Sequence, residues 1–232
     1  MPGPELMCRR QPYVTPVIVN DQQIARLLAT ADHLKPSPNS PLRPAAMRLA
    51  IVLLYTTGMR LGELQRLALG DVEDEGAVLR IRESKFKKTR LLPLSISTQS
   101  EVRRYLERRA NAGFNLRPQA SLLCTRRQKD AYSIPGLQGG ITSLFRMASI
   151  SDANGRLPRI HDLRHSFAIQ VLARSYRRGE DVQVLLPKLA MYMGHVSIES
   201  TAYYLQWTEE LAALASERFA HRFGHVVEGG RS

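Results

Sequence analysis

Residues 161–176 read His-Asp-Leu-Arg-His-Ser-Phe-Ala-Ile-Gln-Val-Leu-Ala-Arg-Ser-Tyr, and this stretch predicts a helix with an unusual first turn. His161 and Arg164 are three residues apart, so a helix places both on one face beside its positively polarised N-terminus. Such a position suits a phosphate group. Leu163 and Phe167 lie on another face, which we expect to pack toward the core.

The segments on both sides of this stretch are also mostly helical in pattern. The apolar spacing predicts further helices at 22–33, 45–57, 60–67, 99–112, 137–148, 182–193, 198–206 and 209–223. Asn20 or Asp21 can cap the first of them. Thr57-Gly58 predicts a break after the apolar helix at 45–57, most of which we expect to be buried.

One part of the chain changes to a strand-like period. Residues 77–82 alternate apolar and basic side chains, residues 90–94 do so more weakly, and Lys85-Phe86-Lys87-Lys88 lies between them. This pattern indicates a β-hairpin with a basic turn. Residues 122–125 are a candidate third strand. The predicted fold class is therefore mainly α with a small antiparallel β-sheet, an α+β domain.

Charge gives the first indication of a partner. The chain has 232 residues with 33 Lys+Arg against 21 Asp+Glu, a net charge of +12. Such a surplus favours a polyanionic partner, through phosphate contacts and counterion release. Aromatic residues are only 6%, which argues against broad base-stacking platforms.

Hydropathy and cysteine content argue against a membrane protein and against a secreted, disulfide-rich protein. The chain has no apolar run long enough for a membrane span, and its first residues lack the apolar stretch of a secretory signal. Two cysteines, Cys8 and Cys124, predict no disulfide framework and fit a reducing cytoplasm. We therefore expect a cytoplasmic protein without a membrane partner.

Chemistry-bearing residues recur in a fixed order along the chain. They are Arg60, Lys85, His161, Arg164, His195 and Tyr204. Phosphoryl transfer on DNA needs guanidinium groups for the non-bridging oxygens, a base for the nucleophile and an acid for the leaving 5′ oxygen. A tyrosine hydroxyl becomes a usable nucleophile near positive charge. These six residues supply those parts.

The order Arg, Lys, His-x-x-Arg, Gly-His and Tyr resembles the catalytic domain of tyrosine recombinases, the phage integrase and Xer-like family. The resemblance covers about residues 21–222. It implies a site-specific recombinase or integrase that breaks and rejoins DNA strands through a 3′-phosphotyrosine, without a cofactor, metal or ATP. It also implies double-stranded DNA as partner.

The resemblance assigns a role to each residue. Arg60 and Arg164 would clamp the scissile phosphate, Lys85 would be the general acid, and His161 would accept or relay a proton. His195 would hydrogen-bond the phosphate, and Tyr204, nine residues later, would be the nucleophile.

Two neighbours complete the predicted site. We expect Glu63 to hold Arg60 through a salt bridge, since it lies one helical turn further on. We expect His165 to support the site from behind the reacting groups.

Several assignments have alternatives. Tyr203 competes with Tyr204, and the family spacing favours Tyr204. Lys87 and Lys88 compete with Lys85, which an alignment on residues 90–94 favours. His161 and His165 have the spacing of metal ligands, but no matching carboxylate or cysteine cluster follows.

The remaining basic residues have two interpretations, phosphate contact or a solvated face. The candidates for DNA contact are Lys87, Lys88, Arg103, Arg104, Arg126 and Arg127. The pair Arg108-Arg109 belongs to the same open question. For Arg60 and Arg164 the alternative role is structural ion pairing.

The predicted organisation is an arm or linker at 1–20, the catalytic domain at 21–222 and a tail at 223–232. Twenty residues are too few for the N-terminal DNA-binding domain that the family usually carries, so we expect that domain to be absent.

We also predict how the protein assembles. The helix at 209–223 carries an apolar stripe of Leu211, Leu214, Ala215, Phe219 and Phe223. The stripe either packs on its own core or, as the resemblance suggests, docks on a neighbouring subunit. We expect a homo-oligomer on DNA in the cytoplasm, associated with the nucleoid.

Two other functions fit the same residues. A type IB topoisomerase uses the same chemistry to relax DNA without choosing a site. A truncated relic of a mobile element would bind DNA without cleaving it.

Overall fold

The computed structural model describes residues 15–82, 89–125 and 131–194. In these ranges the chain forms seven α-helices and a small sheet, which confirms the predicted fold class. The helices are α1 (Asp21–Asp32), α2 (Arg43–Thr57), α3 (Leu61–Arg66), α4 (Ile96–Asn111), α5 (Ile134–Met147), α6 (Ile160–Arg177) and α7 (Val182–Met193). The strands are β1 (Val72–Glu73), β2 (Val78–Ile81) and β3 (Arg90–Pro93).

The sheet is antiparallel in the order β1-β2-β3, and Ile81 at the end of β2 pairs with Arg90 at the start of β3. The predicted antiparallel pairing is thus confirmed, whereas the predicted basic turn lies outside the described residues. The predicted third strand at 122–125 is wrong, because within it only Cys124 forms a single bridge, to Ala131. The third strand is β1, whose two residues are too few to show any alternation.

Two helices start earlier than the sequence pattern predicts, because side-chain caps precede them. Helices α4 and α5 each begin three residues before the predicted start. Ser95 and Ser133 cap them by accepting hydrogen bonds from the backbone N–H groups of Thr98 and Gly136. Each serine supplies an acceptor for one of the unpaired donors of the first turn.

Helix α2 is the centre of the fold. It contacts α1, α3, α4, α5 and α6. Most of its side chains are buried on all sides, as a central helix requires. It ends at Gly58, whose φ is 61°. A Cβ on Gly58 would lie 2.4 Å from the Phe167 ring, so a glycine lets α2 end directly against α6.

Helix α6 joins two apolar clusters. Leu163 belongs to the main core around α2, whereas Ile169 and Leu172 pack with α7 in a second cluster. The segment before α1 also packs on α6. The backbone N–H of Val17 donates to Asp162 Oδ2 at 3.2 Å, and that of Val19 donates to Ser166 Oγ at 2.9 Å. Both valines are buried, so the first turns of α6 are held from several sides.

Within the described ranges, no helix combines the length and the apolar composition that a membrane span requires.

Arg109, on the last turn of α4, has a structural role. Its side chain is fully buried and donates to the carbonyl oxygens of Asn115, Ser121 and Leu122. These bonds hold the loop between α4 and residue 122. Arg109 is therefore neither a phosphate contact nor part of a solvated face.

Replacing Arg109 with Met should lower the free energy of unfolding by about 2–4 kcal/mol, because three buried or part-buried carbonyl groups lose a charged donor. Urea denaturation gives the measurement. Arg108→Met is the matched control, since Arg108 is exposed on the same helix turn. Equal stability of the two variants would contradict the structural role of Arg109.

Candidate active site

Two arginines converge on the ends of two helices. Arg164 donates from Nη1 to the Gly58 carbonyl at 2.5 Å and from Nη2 to the Met193 carbonyl at 2.7 Å. Arg60 donates from Nη2 to the Gly194 carbonyl at 2.9 Å. Carbonyl groups at helix C-termini carry partial negative charge, so a guanidinium group there is favoured. The two arginines thereby join the end of α2 to the end of α7.

Gly194 ends α7 with a φ of 66°. A Cβ at this position would lie 2.9 Å from Arg90 Nη1, and 3.7 Å from Arg60 Nη1. Both the backbone conformation and the close approach of the guanidinium groups require a glycine. In sequence, His195 follows immediately.

The two arginines differ in exposure. Arg164 is 1% exposed, whereas 27% of the Arg60 side chain is accessible. Arg164 therefore anchors the backbone at the base of the site, and Arg60 is the more solvent-accessible of the two guanidinium groups.

Glu63 holds Arg60, as the sequence predicts. Glu63 Oε1 accepts from Arg60 Nη1 at 3.0 Å, and Oε2 accepts from the Arg60 backbone N–H at 2.9 Å. Burial by itself raises the pKa of this carboxyl, yet hydrogen bonds from Arg90 and from the Arg60 backbone lower it to about 2. Glu63 is therefore ionised at any physiological pH.

Arg90 is a member of the site that sequence reasoning missed. It donates from Nη1 and Nη2 to the two oxygens of Glu63, at 3.0 and 2.8 Å. Its side chain is only 14% exposed. A basic residue that opens a strand after a lysine-rich turn was the available signal, but no local rule pairs it with a carboxylate 27 positions earlier.

The two histidines of α6 lie against each other. Their ring centroids are 4.8 Å apart with an interplanar angle of 85°. His161 is exposed to solvent at the surface, yet the surrounding protein partly buries its ring. This burial, with the positive charges of Arg164 and Arg60, lowers the pKa of His161. Burial and the neighbouring His161 lower the pKa of His165 to about 4.

Both imidazoles are consequently neutral near pH 7. An uncharged, solvent-accessible His161 beside two guanidinium groups can accept a proton. His165 lies against it in an edge-to-face contact, and its supporting role stays a prediction.

Several predicted residues lie outside the described ranges: Lys85, Lys87, Lys88, Arg126, Arg127, His195, Tyr203 and Tyr204. The helices at 198–206 and 209–223 lie outside them as well. The assignments of these residues stay predictions.

Arg103 and Arg104 lie on α4. Arg104 pairs with Glu101 at 2.5 Å, and Arg103 is exposed beside Ser100. Their contact with DNA also stays a prediction. Among the described residues, no group of three or more His, Cys, Asp or Glu side chains is arranged to hold a metal ion.

Comparison with known proteins gives consistent matches. The sequence profile of the phage integrase family matches residues 18–210. The chain is 37% identical over 203 residues to the putative integrase/recombinase y4rE of Sinorhizobium fredii, which covers 88% of this chain and 64% of that protein.

Two solved structures share the fold. The crystal structure of XerA recombinase is similar with a TM-score of 0.68 at 22% identity, over 92% of this chain and 66% of that one. XerH site-specific recombinase, bound to a palindromic difH substrate in a post-cleavage complex, has a TM-score of 0.65 at 21% identity, over 88% of this chain and 53% of that one. The chain thus spans about two thirds or less of these three proteins.

The depressed pKa values of the histidines predict a pH-dependent stability. The unfolded chain takes up a proton on His165 near pH 6.5, whereas the folded chain takes it up only near pH 4. Stability should therefore fall as the pH is lowered from 7 toward 4, by on the order of 1–3 kcal/mol for this residue.

Urea denaturation at pH 7.5 and pH 5 tests this expectation, because Glu63 does not titrate between them. His165→Gln should reduce the difference in stability between the two pH values. His33→Gln, at an exposed histidine after α1, is the control. An unchanged difference in the His165 variant would contradict the prediction.

Proposed function

This chain belongs to the phage integrase family, and on that premise we propose that it is a site-specific DNA recombinase or integrase. It breaks and rejoins strands by transesterification through a 3′-phosphotyrosine at Tyr204. The observation that carries the proposal is that Arg60 and Arg164 meet at the ends of α2 and α7, one residue before His195, while His161 lies on the first turn of the helix that carries Arg164.

The hydrogen-bond donors and charge of Arg60 suit a phosphodiester. A guanidinium group has five N–H donors. Two donors of Arg60 bind Glu63 and the Gly194 carbonyl. The others can bind non-bridging phosphate oxygens, in the planar geometry that favours arginine at phosphate sites. Because Glu63 already fixes Arg60, the phosphate does not have to order it on binding.

The proposed reaction needs no external energy source. The Tyr204 hydroxyl attacks phosphorus and loses its proton to His161, directly or by relay. The bond to the 5′ oxygen breaks, and Lys85 protonates that oxygen. The phosphotyrosine ester conserves the energy of the phosphodiester, so attack by a 5′ hydroxyl of another strand reverses the step without ATP.

The partners follow from the same proposal. Double-stranded DNA is the substrate, and the net charge of +12 favours it. We propose that the helix at 209–223 docks on a neighbouring protomer, so that the protein is a homo-oligomer on DNA. Such a substrate places the protein in the cytoplasm with the nucleoid.

A supercoiled plasmid that carries the DNA flanking the gene separates this function from its alternatives. Exchange between two sites supports a recombinase, relaxation alone indicates a topoisomerase-like enzyme, and binding without strand cleavage indicates a relic.

Tyr204→Phe should abolish covalent protein–DNA complexes and leave non-covalent binding nearly unchanged, because only the nucleophilic oxygen is lost. Denaturing gels after incubation with the plasmid measure the adduct. Tyr203→Phe is the matched control and should still form it. An adduct with the Tyr204 variant would overturn the assignment of the nucleophile.

Arg60→Ala and Arg164→Ala should each lower cleavage by about 100-fold or more, as loss of a transition-state donor does. Their stabilities should differ, because Arg164→Ala also leaves the Gly58 and Met193 carbonyls without their buried donor. We expect Arg164→Ala to lose about 2–3 kcal/mol of stability beyond Arg60→Ala. Single-turnover cleavage and urea denaturation provide the two measurements. Equal stabilities would contradict the anchoring role of Arg164.

A further inference from the structure

We propose that Arg90 is a positioning residue that keeps Arg60 available to phosphate by sharing the carboxylate of Glu63. This inference rests on the proposed function for its consequence in cleavage, but its physical basis is the local charge balance.

Glu63 is saturated with hydrogen bonds. Oε1 accepts from the Nη1 atoms of Arg60 and Arg90, and Oε2 accepts from the Arg60 backbone and Arg90 Nη2. A carboxylate has about four acceptor positions, and here four N–H groups fill them. Arg90 occupies two of these positions, in the bidentate geometry.

This occupancy restricts how Arg60 binds Glu63. Without Arg90, both oxygens offer a vacant position, and a guanidinium group prefers to bind a carboxylate through two parallel hydrogen bonds. Arg60 would then turn toward Glu63 and give up its 2.9 Å bond to the Gly194 carbonyl. With Arg90 in place, the Arg60 side chain has one bond to Glu63 and one to the end of α7.

Charge leads to the same conclusion. Two arginines and one carboxylate leave the cluster with one net positive charge, whereas Arg60 and Glu63 alone would be neutral. Since the Glu63 side chain is only 1% exposed, solvent screens this charge weakly. Arg90 therefore adds one positive charge, beside that of Arg164, to the site that a phosphate anion meets.

The position of Arg90 suits this role. It opens β3, directly after the loop that contains Lys85 in sequence, and its guanidinium lies against Gly194. Its Nε–H has no hydrogen-bond partner among the described residues. The side chain thus links strand β3, helix α3 and the end of α7.

The test separates charge balance from mere structural support by combining two substitutions. Arg90→Met removes the second cation, and Glu63→Gln added to it removes the anion, which restores one net positive charge. Arg90→Lys keeps the charge without the bidentate geometry. Arg80→Met, which removes a partly exposed cation from the adjacent strand β2, is the matched control.

Binding of inorganic phosphate is the first readout, followed through the Arg60 Nε–H resonance of protein labelled with ¹⁵N-arginine. Loss of one unit charge near the site should weaken phosphate about tenfold or more in Arg90→Met. The double variant and Arg90→Lys should lie within about threefold of wild type, and Arg80→Met should be unchanged.

Glu63→Gln alone gives a second test if Arg90→Met does not fold, because it should bind phosphate at least as tightly as wild type. The inference is overturned if wild-type Arg60 does not respond to phosphate. It is also overturned if the double variant binds no more tightly than Arg90→Met, or if folded Glu63→Gln loses affinity.

Formation of the covalent adduct with DNA is the second readout. It should be lowest in Arg90→Met and close to wild type in Arg90→Lys, as for phosphate binding. If phosphate binding follows the expected order but wild type forms no adduct, the proposed function fails and the role of Arg90 stands. If wild type forms the adduct and phosphate binding does not depend on Arg90, the proposed function stands and the role of Arg90 fails.

Discussion

The site depends on the buried guanidinium group of Arg164, which joins the carbonyl oxygens at the ends of α2 and α7. Gly58 and Met193 belong to different helices and are far apart in sequence, and Arg164 on α6 binds both. A buried cation is tolerated only where acceptors satisfy it, and two helix C-termini supply partial negative charge where it lies. The residue at the base of the site is therefore also one that fixes the packing of three helices.

A second constraint is that the Glu63 cluster contains more cations than anions. Glu63 holds two arginines, so its carboxylate orders both without cancelling both charges. An isolated buried ion pair would give order and no net charge. Here a surplus cation is held in place before any ligand arrives, which is the condition under which electrostatic stabilisation costs little reorganisation. Burial, together with the charges of Arg164 and Arg60, lowers the pKa of His161.

Helix α6 connects the site to both apolar clusters and to the segment before α1. Its first turn carries His161 and Arg164, its apolar side chains divide between two clusters, and Asp162 and Ser166 bind the segment that precedes α1. The Phe167 ring lies under Gly58 and stacks with Tyr192, just before the end of α7. Packing and polar contacts thus both fix the N-terminal turns of α6, as expected for a site whose geometry has to be formed in advance.

The sequence by itself determined the class of the fold, the order of the seven described helices and the antiparallel pairing of β2 with β3, because helical and strand periods are local properties. It also predicted the Arg60–Glu63 pair, which is one helical turn apart. Only the tertiary structure decided that Arg164 is buried, that Arg90 completes the Glu63 cluster, that Arg109 holds a loop and that β1 rather than 122–125 is the third strand. Each of these depends on groups that are distant in sequence, or on a strand too short to have a period, and no local pattern encodes which of them meet. Burial then determines the chemistry of the site, because it sets whether a charge is screened by water or by a partner.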